Sequence, residues 1–388
     1  MNIIVLTSSM ANDDFNDYAA KAKIKPNPSN QNFYNKLIRA LEVNNNVAVL
    51  SLRPFVKGMF EETHIEETST LDGSIKYYYP YLEGSTSYKL FKQTKAILET
   101  VDKIVEENHF DHFMLVVDIL RYPFLKALSA IDKKYMPLKV AVITDNPANL
   151  SKVNATYVSQ VKKYAKKFDA YITLTESLNR IFNVNKKPSY IVEGIVEEIP
   201  PKKKMPIGDY IFFGGALYER YGVKNLVDSF HKSSCPFKLV IAGHGDLSKY
   251  IYEISKKDHR ILFLGLVDKE TIYTLEQHAH MNINPRPFEW KLDRESVPSK
   301  LLEYLSSGAP TMSTKHTRLM ELFPNNLYWI DGHEKLEESL EKISSIDPAE
   351  LRKKASNARL RVYELYGLRT QGEKIGQFLN SVNVSLIK

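Results

Sequence analysis

A single cysteine, Cys235, occurs among 388 residues. That excludes an internal disulfide and any metal site built on several thiolates. Cys235 precedes Pro236 and an apolar run, so it reads as a buried structural thiol rather than a nucleophile. Long hydrophobic runs are missing as well, and no stretch reaches the roughly 18 apolar residues of a membrane span. The apolar start Met1–Thr7 is short and lacks a basic lead, so it reads as a first strand rather than a signal peptide. Glycine is sparse, and no glycine-rich fingerprint follows that first strand, so the N-terminal half does not read as a dinucleotide-binding domain. His278 and His280, separated by Ala279, do not read as a metal site. Neither an internal repeat nor the signature of a nucleic-acid-binding module is visible.

What remains is an ordinary globular composition, 43% hydrophobic and 26% charged, in a chain long enough for two or three domains. The formal charge of +7 permits anionic partners such as acidic lipid or phosphorylated substrates. Lys162, Lys163, Lys166 and Lys167 form a basic stripe on a predicted helix, either solvated or facing an anionic membrane surface.

Short apolar runs alternate with amphipathic stretches through the first half. Strands are predicted over 2–9, 47–52, 75–82, 113–119, 139–144, 170–174 and 190–196, and helices over 33–41, 88–107, 122–134 and 150–167. The polar stretch 10–32 reads as a long loop. This pattern predicts a parallel sheet covered on both faces, with ligands beyond the carboxyl ends of its strands. The rule selects Thr7–Ser9, Asp118, Asp145 and Glu176. Asp145, just before Asn146-Pro147, is either a turn cap or a functional carboxylate. A proline- and lysine-rich stretch, 199–206, reads as a linker. A second alternating series follows, with strands over 210–213, 237–242, 261–264, 281–284, 310–313 and 327–330. Its helices run over 223–233, 247–257 and 269–279, and more follow from about residue 334. The predicted division is an N-terminal domain 1–198, the linker 199–206, a C-terminal domain 207–370, and a helix over 371–388 that can return to the N-terminal domain. Two doubly wound halves place a cleft between their strand ends.

The densest motif is Glu295-Ser-Val-Pro-Ser-Lys-Leu-Leu-Glu303. Pro298 suits a first helical turn. The amides of Ser299 and Lys300 then lack intrahelical partners, and such an end attracts phosphate. Glu303 shares a face with Lys300 and Ser299. The pattern fits either a sugar-nucleotide site or a surface helix with a Lys–Glu pair. Phe213-Gly-Gly-Ala-Leu-Tyr-Glu-Arg-Tyr-Gly222 joins a strand to a helix, and its small residues let a backbone approach a diphosphate. Arg286, in Asn284-Pro-Arg-Pro287, ends a strand and is aimed at the cleft or at a surface ion pair.

Taken together, the Phe213-Gly-Gly turn with Tyr221-Gly-Val, Leu239–Gly243, Phe263-Leu-Gly265, Asn284-Pro-Arg286 and the paired glutamates resemble glycosyltransferase family 4. These are retaining enzymes of GT-B fold, with two Rossmann-like domains and an interdomain cleft. The Pro-Ser-Lys-Leu form resembles bacterial surface-polysaccharide members. The resemblance implies a metal-independent, retaining hexosyltransferase with no cofactor. It would move a sugar from a nucleotide-sugar donor, UDP- more than GDP-linked, to a polysaccharide or lipid-linked saccharide, in the cytoplasm or at the inner membrane face. By the same resemblance Glu303 holds the donor ribose, and Glu295 lies near the donor sugar and the reacting centre. Ser296, Val297, Ser299 and Lys300 hold the diphosphate or sugar, and Gly265 and Leu266 line the base. Gly214 and Gly215 allow close approach, and Asp145 stands where the family often places a sugar-contacting histidine. Gly215 and Tyr221 occupy positions where the family commonly has Arg and Lys, so Arg220, Arg286 and Lys300 are left to supply that charge. The alternatives are a sugar-nucleotide epimerase and a catalytically silent homologue that stabilises a partner transferase.

Overall fold

The computed structural model describes residues 1–26, 28–83, 89–149, 153–330 and 335–387. The chain forms two compact units, Met1–Ile195 with Leu368–Lys388, and Val196–Gly367. The predicted helix starts at Tyr88 and Leu150, and a start at Glu334, lie outside the described residues.

The first unit is built on an eight-stranded sheet ordered Ser189–Ile191, Ala170–Thr173, Leu138–Ile143, Met114–Asp118, Asn2–Thr7, Asn46–Ser51, Ile75–Tyr79 and Thr68–Asp72. All neighbours are parallel except the last pair, an antiparallel hairpin. The central strands, Val- and Ile-rich and buried but for Asn2, bury both faces, as a helix-covered parallel sheet requires. Apolar side chains of the two faces fill separate cores, one with Leu115, Val117 and Phe124, the other with Val5, Tyr34 and Leu37. Helix Leu368–Ile387 packs on helix Pro28–Glu42, with Ile375, Leu379 and Val382 buried in that second core. The lysines 162, 163, 166 and 167 are all exposed.

The second unit carries a six-stranded, wholly parallel sheet ordered Ile261–Gly265, Lys238–Ala242, Tyr210–Gly214, Met281–Asn284, Thr311–Thr314 and Tyr328–Ile330. In each unit the first strand is central, and the strand order reverses beside it. The crevice at that reversal is where open parallel sheets place ligands. It lies beyond Thr7 and Asp118 in the first unit, and beyond Gly214 and Asn284 in the second.

Two expectations need correction. The stretch 10–32 is not a long loop, because helix Asn12–Lys21 forms within it and a second helix opens at Pro28. Asp13 and Asp14 in its first turn and Lys21 in its last suit the helix dipole, and the Tyr18 hydroxyl donates to Pro54 O at 2.6 Å. Nor is 199–206 a free linker. It is strapped to helix Lys269–His278, with Lys202 N donating to Gln277 Oε1 at 2.8 Å and His278 Nε2 lying 2.7 Å from Lys202 O. The unit boundary falls earlier, between Ile195 and Val196.

Candidate functional site

In the second unit the strand ends are laced together by their own loops. Gly215 N donates to Ala242 O at 3.0 Å, and Gly243 N donates to Gly265 O at 2.7 Å. A Cβ on Gly243 would sit 1.8 Å from Gly215 O, so only glycine admits this contact. The turn after Gly215 folds onto the segment after Asn284. Gly222, at φ +76°, lies so near Pro285 that a Cβ would stand 2.0 Å from its carbonyl oxygen. His244 serves this lacing as a turn residue, its carbonyl accepting from Leu217 N at 3.0 Å.

That contact draws two arginines to one ring. The Arg220 and Arg286 guanidinium carbons lie 5.0 Å and 5.7 Å from the Tyr221 ring centre. Tyr221, standing where a lysine was expected, thus gathers positive charge from both neighbouring loops. Arg220 is exposed and Arg286 half-buried. Burial lowers the Arg286 pKa, with Tyr221 and Glu289 acting against the shift.

The glutamate motif folds as a helix–turn–helix. Glu295 ends helix Trp290–Glu295, and helix Ser299–Ser307 begins four residues on. Pro298 is the cap residue rather than part of the first turn, and it supplies no side-chain cap. Helix geometry therefore leaves the Ser299 and Lys300 amides directed out of the helix end. Leu301, Leu302 and Leu305 bury the opposite face in a core with Val362 and Tyr366. Buried Tyr304 anchors the helix to the sheet. Its hydroxyl accepts from Gly214 N at 2.9 Å and donates to Gly214 O at 3.3 Å.

Lys300 bridges two carboxylates, Glu303 Oε2 at 2.8 Å and Glu276 Oε1 at 3.3 Å. The Glu276 side chain is completely buried. Burial alone would lower the Lys300 pKa, but the charges of Glu303 and Glu276 hold it well above the usual range. The Lys–Glu pair foreseen as a surface feature is thus real, and it is rooted in the core through Glu276, which sequence reasoning missed. No motif in helix Lys269–His278 marks Glu276 as a buried carboxylate.

The loop carrying Glu295, Ser296 and Val297 is pinned from below. His316 caps helix Thr317–Leu322, with Nδ1 accepting from Leu319 N at 3.4 Å. This leaves Nε2–H to donate to Ser296 O at 3.2 Å. Asp293 Oδ1 accepts from Thr317 N at 3.0 Å and lies 3.7 Å from His316 Nε2. These side chains close one wall of a concavity of about 310 Å³, open to solvent, whose lining includes Arg286, Phe288, Glu289, Ser296 and Lys315. On the far side of the sheet ends, Leu266 is 74% exposed and Gly265 meets nothing within 4 Å of an added Cβ, so this flank is open.

In the first unit, Asp118 is buried at the strand reversal. Its Oδ1 accepts from Leu120 N at 3.0 Å, Arg121 Nε lies 3.7 Å from Oδ2, and Tyr34 and Asn30 face it. Burial raises its pKa against these partners. Asp145 is exposed as a residue. Partial loss of solvent around its carboxyl, with repulsion from Asp118, pushes it up to about 6. Cys235 is buried, and burial raises its thiol pKa. His280 stacks on Phe237 with ring centres 4.1 Å apart. Among the described residues no helix is long and apolar enough to cross a membrane.

Comparison with known proteins bears on the fold. An uncharacterised glycosyltransferase of Methanocaldococcus jannaschii, MJ1607, is 28% identical over 128 residues, which span 31% of each chain. Sucrose-phosphate synthase from Thermosynechococcus elongatus superposes with a TM-score of 0.70 at 14% identity, covering 99% of this chain and 100% of that one. Anabaena HepE, solved with UDP, gives a TM-score of 0.61 at 14% identity over 98% and 100%. The fold is therefore GT-B, with parallel sheets in two α/β domains. Residues 196–361, which lie within the second unit, match the family Glycosyl transferases group 1.

Proposed function

We propose that this protein is a glycosyltransferase that moves a hexosyl group from a nucleotide-sugar donor, UDP- in preference to GDP-linked, to a saccharide acceptor. The observation that carries the reading is the helix start at Ser299 beside the strand reversal of a Glycosyl transferases group 1 domain. Its Glu303 is oriented by Lys300, and Lys300 by buried Glu276. Glu303 accepts the ribose hydroxyls. The Ser299 and Lys300 amides face the diphosphate, which Gly214 and Gly215 allow to approach, with charge from Arg220 beside Tyr221. Lys300, already shared by two carboxylates, orients Glu303 more than it neutralises phosphate. Glu295 and Ser296 border the donor sugar, and Gly265 and Leu266 flank the base.

The reaction is read as retaining and metal-independent. The acceptor oxygen bonds to the anomeric carbon as the bond to the phosphate oxygen breaks. Both events occur on one face, and the acceptor proton passes to the departing phosphate oxygen. The acceptor is a polysaccharide or lipid-linked saccharide approached by the first unit, with Asp145 at its sheet end. The UDP complexes of the GT-B neighbour HepE support the choice of nucleotide.

Calorimetric titration with UDP tests the site. A hydrogen bond to a charged group contributes about 1.5–3 kcal/mol, so Glu303→Ala is expected to weaken UDP by tenfold or more. Unchanged affinity would remove Glu303 from the donor site.

A further inference from the structure

Arg286 is built more rigidly than a general phosphate contact requires. Prolines flank it on both sides, and their rings fix φ. Its carbonyl accepts from Thr314 Oγ1, and Pro285 is clamped by the close approach of Gly222. The side chain is half-buried, packs on Tyr221 and lines the concavity beside Ser296. Among the described residues no hydrogen bond or ion pair engages its guanidinium. The two nearest acids do not fill that role. Asp293 is taken by the Thr317 amide and His316, and Glu289 stands exposed at the rim. A half-buried guanidinium without a protein acceptor keeps its donors for water or a ligand.

The concavity is open to solvent beside Ser296, and its lining narrows that ligand. Exposed Lys315 on the same lining adds a second cation, and the Phe288 ring adds an apolar wall. A neutral hexose offers the guanidinium only uncharged hydroxyl acceptors. A carboxylate on the ring accepts two parallel hydrogen bonds from it.

We propose that the sugar of the donor is an acidic one, a hexuronate, whose carboxylate is bound by Arg286 in the concavity beside Ser296. The inference rests on the glycosyltransferase reading and narrows its donor class. It divides the arginine pair, Arg220 serving the diphosphate and Arg286 the sugar.

The test is a calorimetric comparison of UDP, UDP-glucose and UDP-glucuronate on the full-length protein, repeated with GDP, GDP-mannose and GDP-mannuronate. The wild type is expected to bind the uronate at least about tenfold tighter than its neutral counterpart. Arg286→Ala is expected to bring that ratio close to one, and Arg286→Lys, which loses the fork, to restore only part of it. Equal affinity of the wild type for neutral and acidic donors would overturn the inference and leave the transferase reading standing. So would an Arg286→Ala variant that loses UDP and UDP-glucuronate affinity equally, because that places the guanidinium on the diphosphate. Absence of binding by UDP and GDP alike would overturn the donor reading itself, and this inference with it. The wild-type comparison decides the matter even if the variants fail to fold.

Discussion

The two units use one strand order and arm it in opposite ways. Each has its first strand in the centre and its reversal point beside that strand. In the first unit this point is filled by polar side chains around a buried carboxylate. Asp118 is buried among the Leu120 amide, Arg121, Tyr34 and Asn30, and Asn30 donates to Ser8 Oγ at 2.7 Å. In the second unit the strand ending there carries Gly214 and Gly215, Tyr304 ties helix Ser299–Ser307 to Gly214, and the following turn brings two arginines to Tyr221. The difference teaches that strand order decides where a ligand goes, and residue size and charge decide which ligand goes there. A filled, acidic crevice suits hydroxyl-rich neutral groups. A glycine-cleared, cationic one suits phosphate.

The buried ionic groups allow this contrast to be broken. Lys300 holds two carboxylates, one fully buried. Lys300→Met removes their cation and should cost about 3–5 kcal/mol, the usual penalty for stranding one side of a buried pair. Urea denaturation followed by tryptophan fluorescence reads this directly, because Trp290 and Trp329 both lie in the second unit. A loss below about 1 kcal/mol would mean that Lys300 is no keystone. Asp118 should behave differently. Burial disfavours its charge, so Asp118→Asn, which keeps an acceptor for the Leu120 amide, is expected within about 1 kcal/mol of the wild type at pH 7. A much larger loss would make Asp118 as structural an ion as Lys300.

Asp145 should show the smallest effect. A carboxyl raised on folding binds its proton more tightly in the folded state than in the unfolded one. Its contribution to stability is therefore most favourable below about pH 4, falls as pH rises, and levels off above about 6. Its exposure lets solvent screen the effect, so Asp145→Asn should gain under about 1 kcal/mol at pH 7 and nothing near pH 4. Thermal melts at the two pH values measure this. A gain that does not depend on pH would dissociate Asp145 from any titration.

Much of this was legible in the residues. Alternation of apolar runs and helices announced two parallel-sheet halves, because a strand buried on both faces needs unbroken Val and Ile. The glycine turn and the Ser299 helix start were visible because backbone requirements leave few residue choices. The partners that fix them were not. Glu276 lies 24 positions before Lys300, and Tyr304 reaches Gly214 across 90. Asp293 and His316 meet only because two loops fold together. Long-range side-chain pairing leaves no periodic trace in a single sequence. Helix Asn12–Lys21 was missed for another reason, since it buries no residue completely and shows no strong apolar stripe.

The place where the chain leaves the first unit sets an order of assembly. Val196 and Gly367 lie side by side, with Val196 N donating to Tyr366 O at 2.8 Å. The second unit is thus an insertion whose two ends are already tied to each other, with all its core residues contiguous in the chain. The first unit is not closed until its last helix arrives, and Gly372 there sits so close to Ala40 that a Cβ would stand 2.5 Å from the Ala40 carbonyl oxygen. Contacts of such sequence separation form late. During synthesis the second unit can therefore complete its core while the first still waits for some twenty residues, and until they emerge from the ribosome the face of helix Pro28–Glu42 that they cover stays open to water.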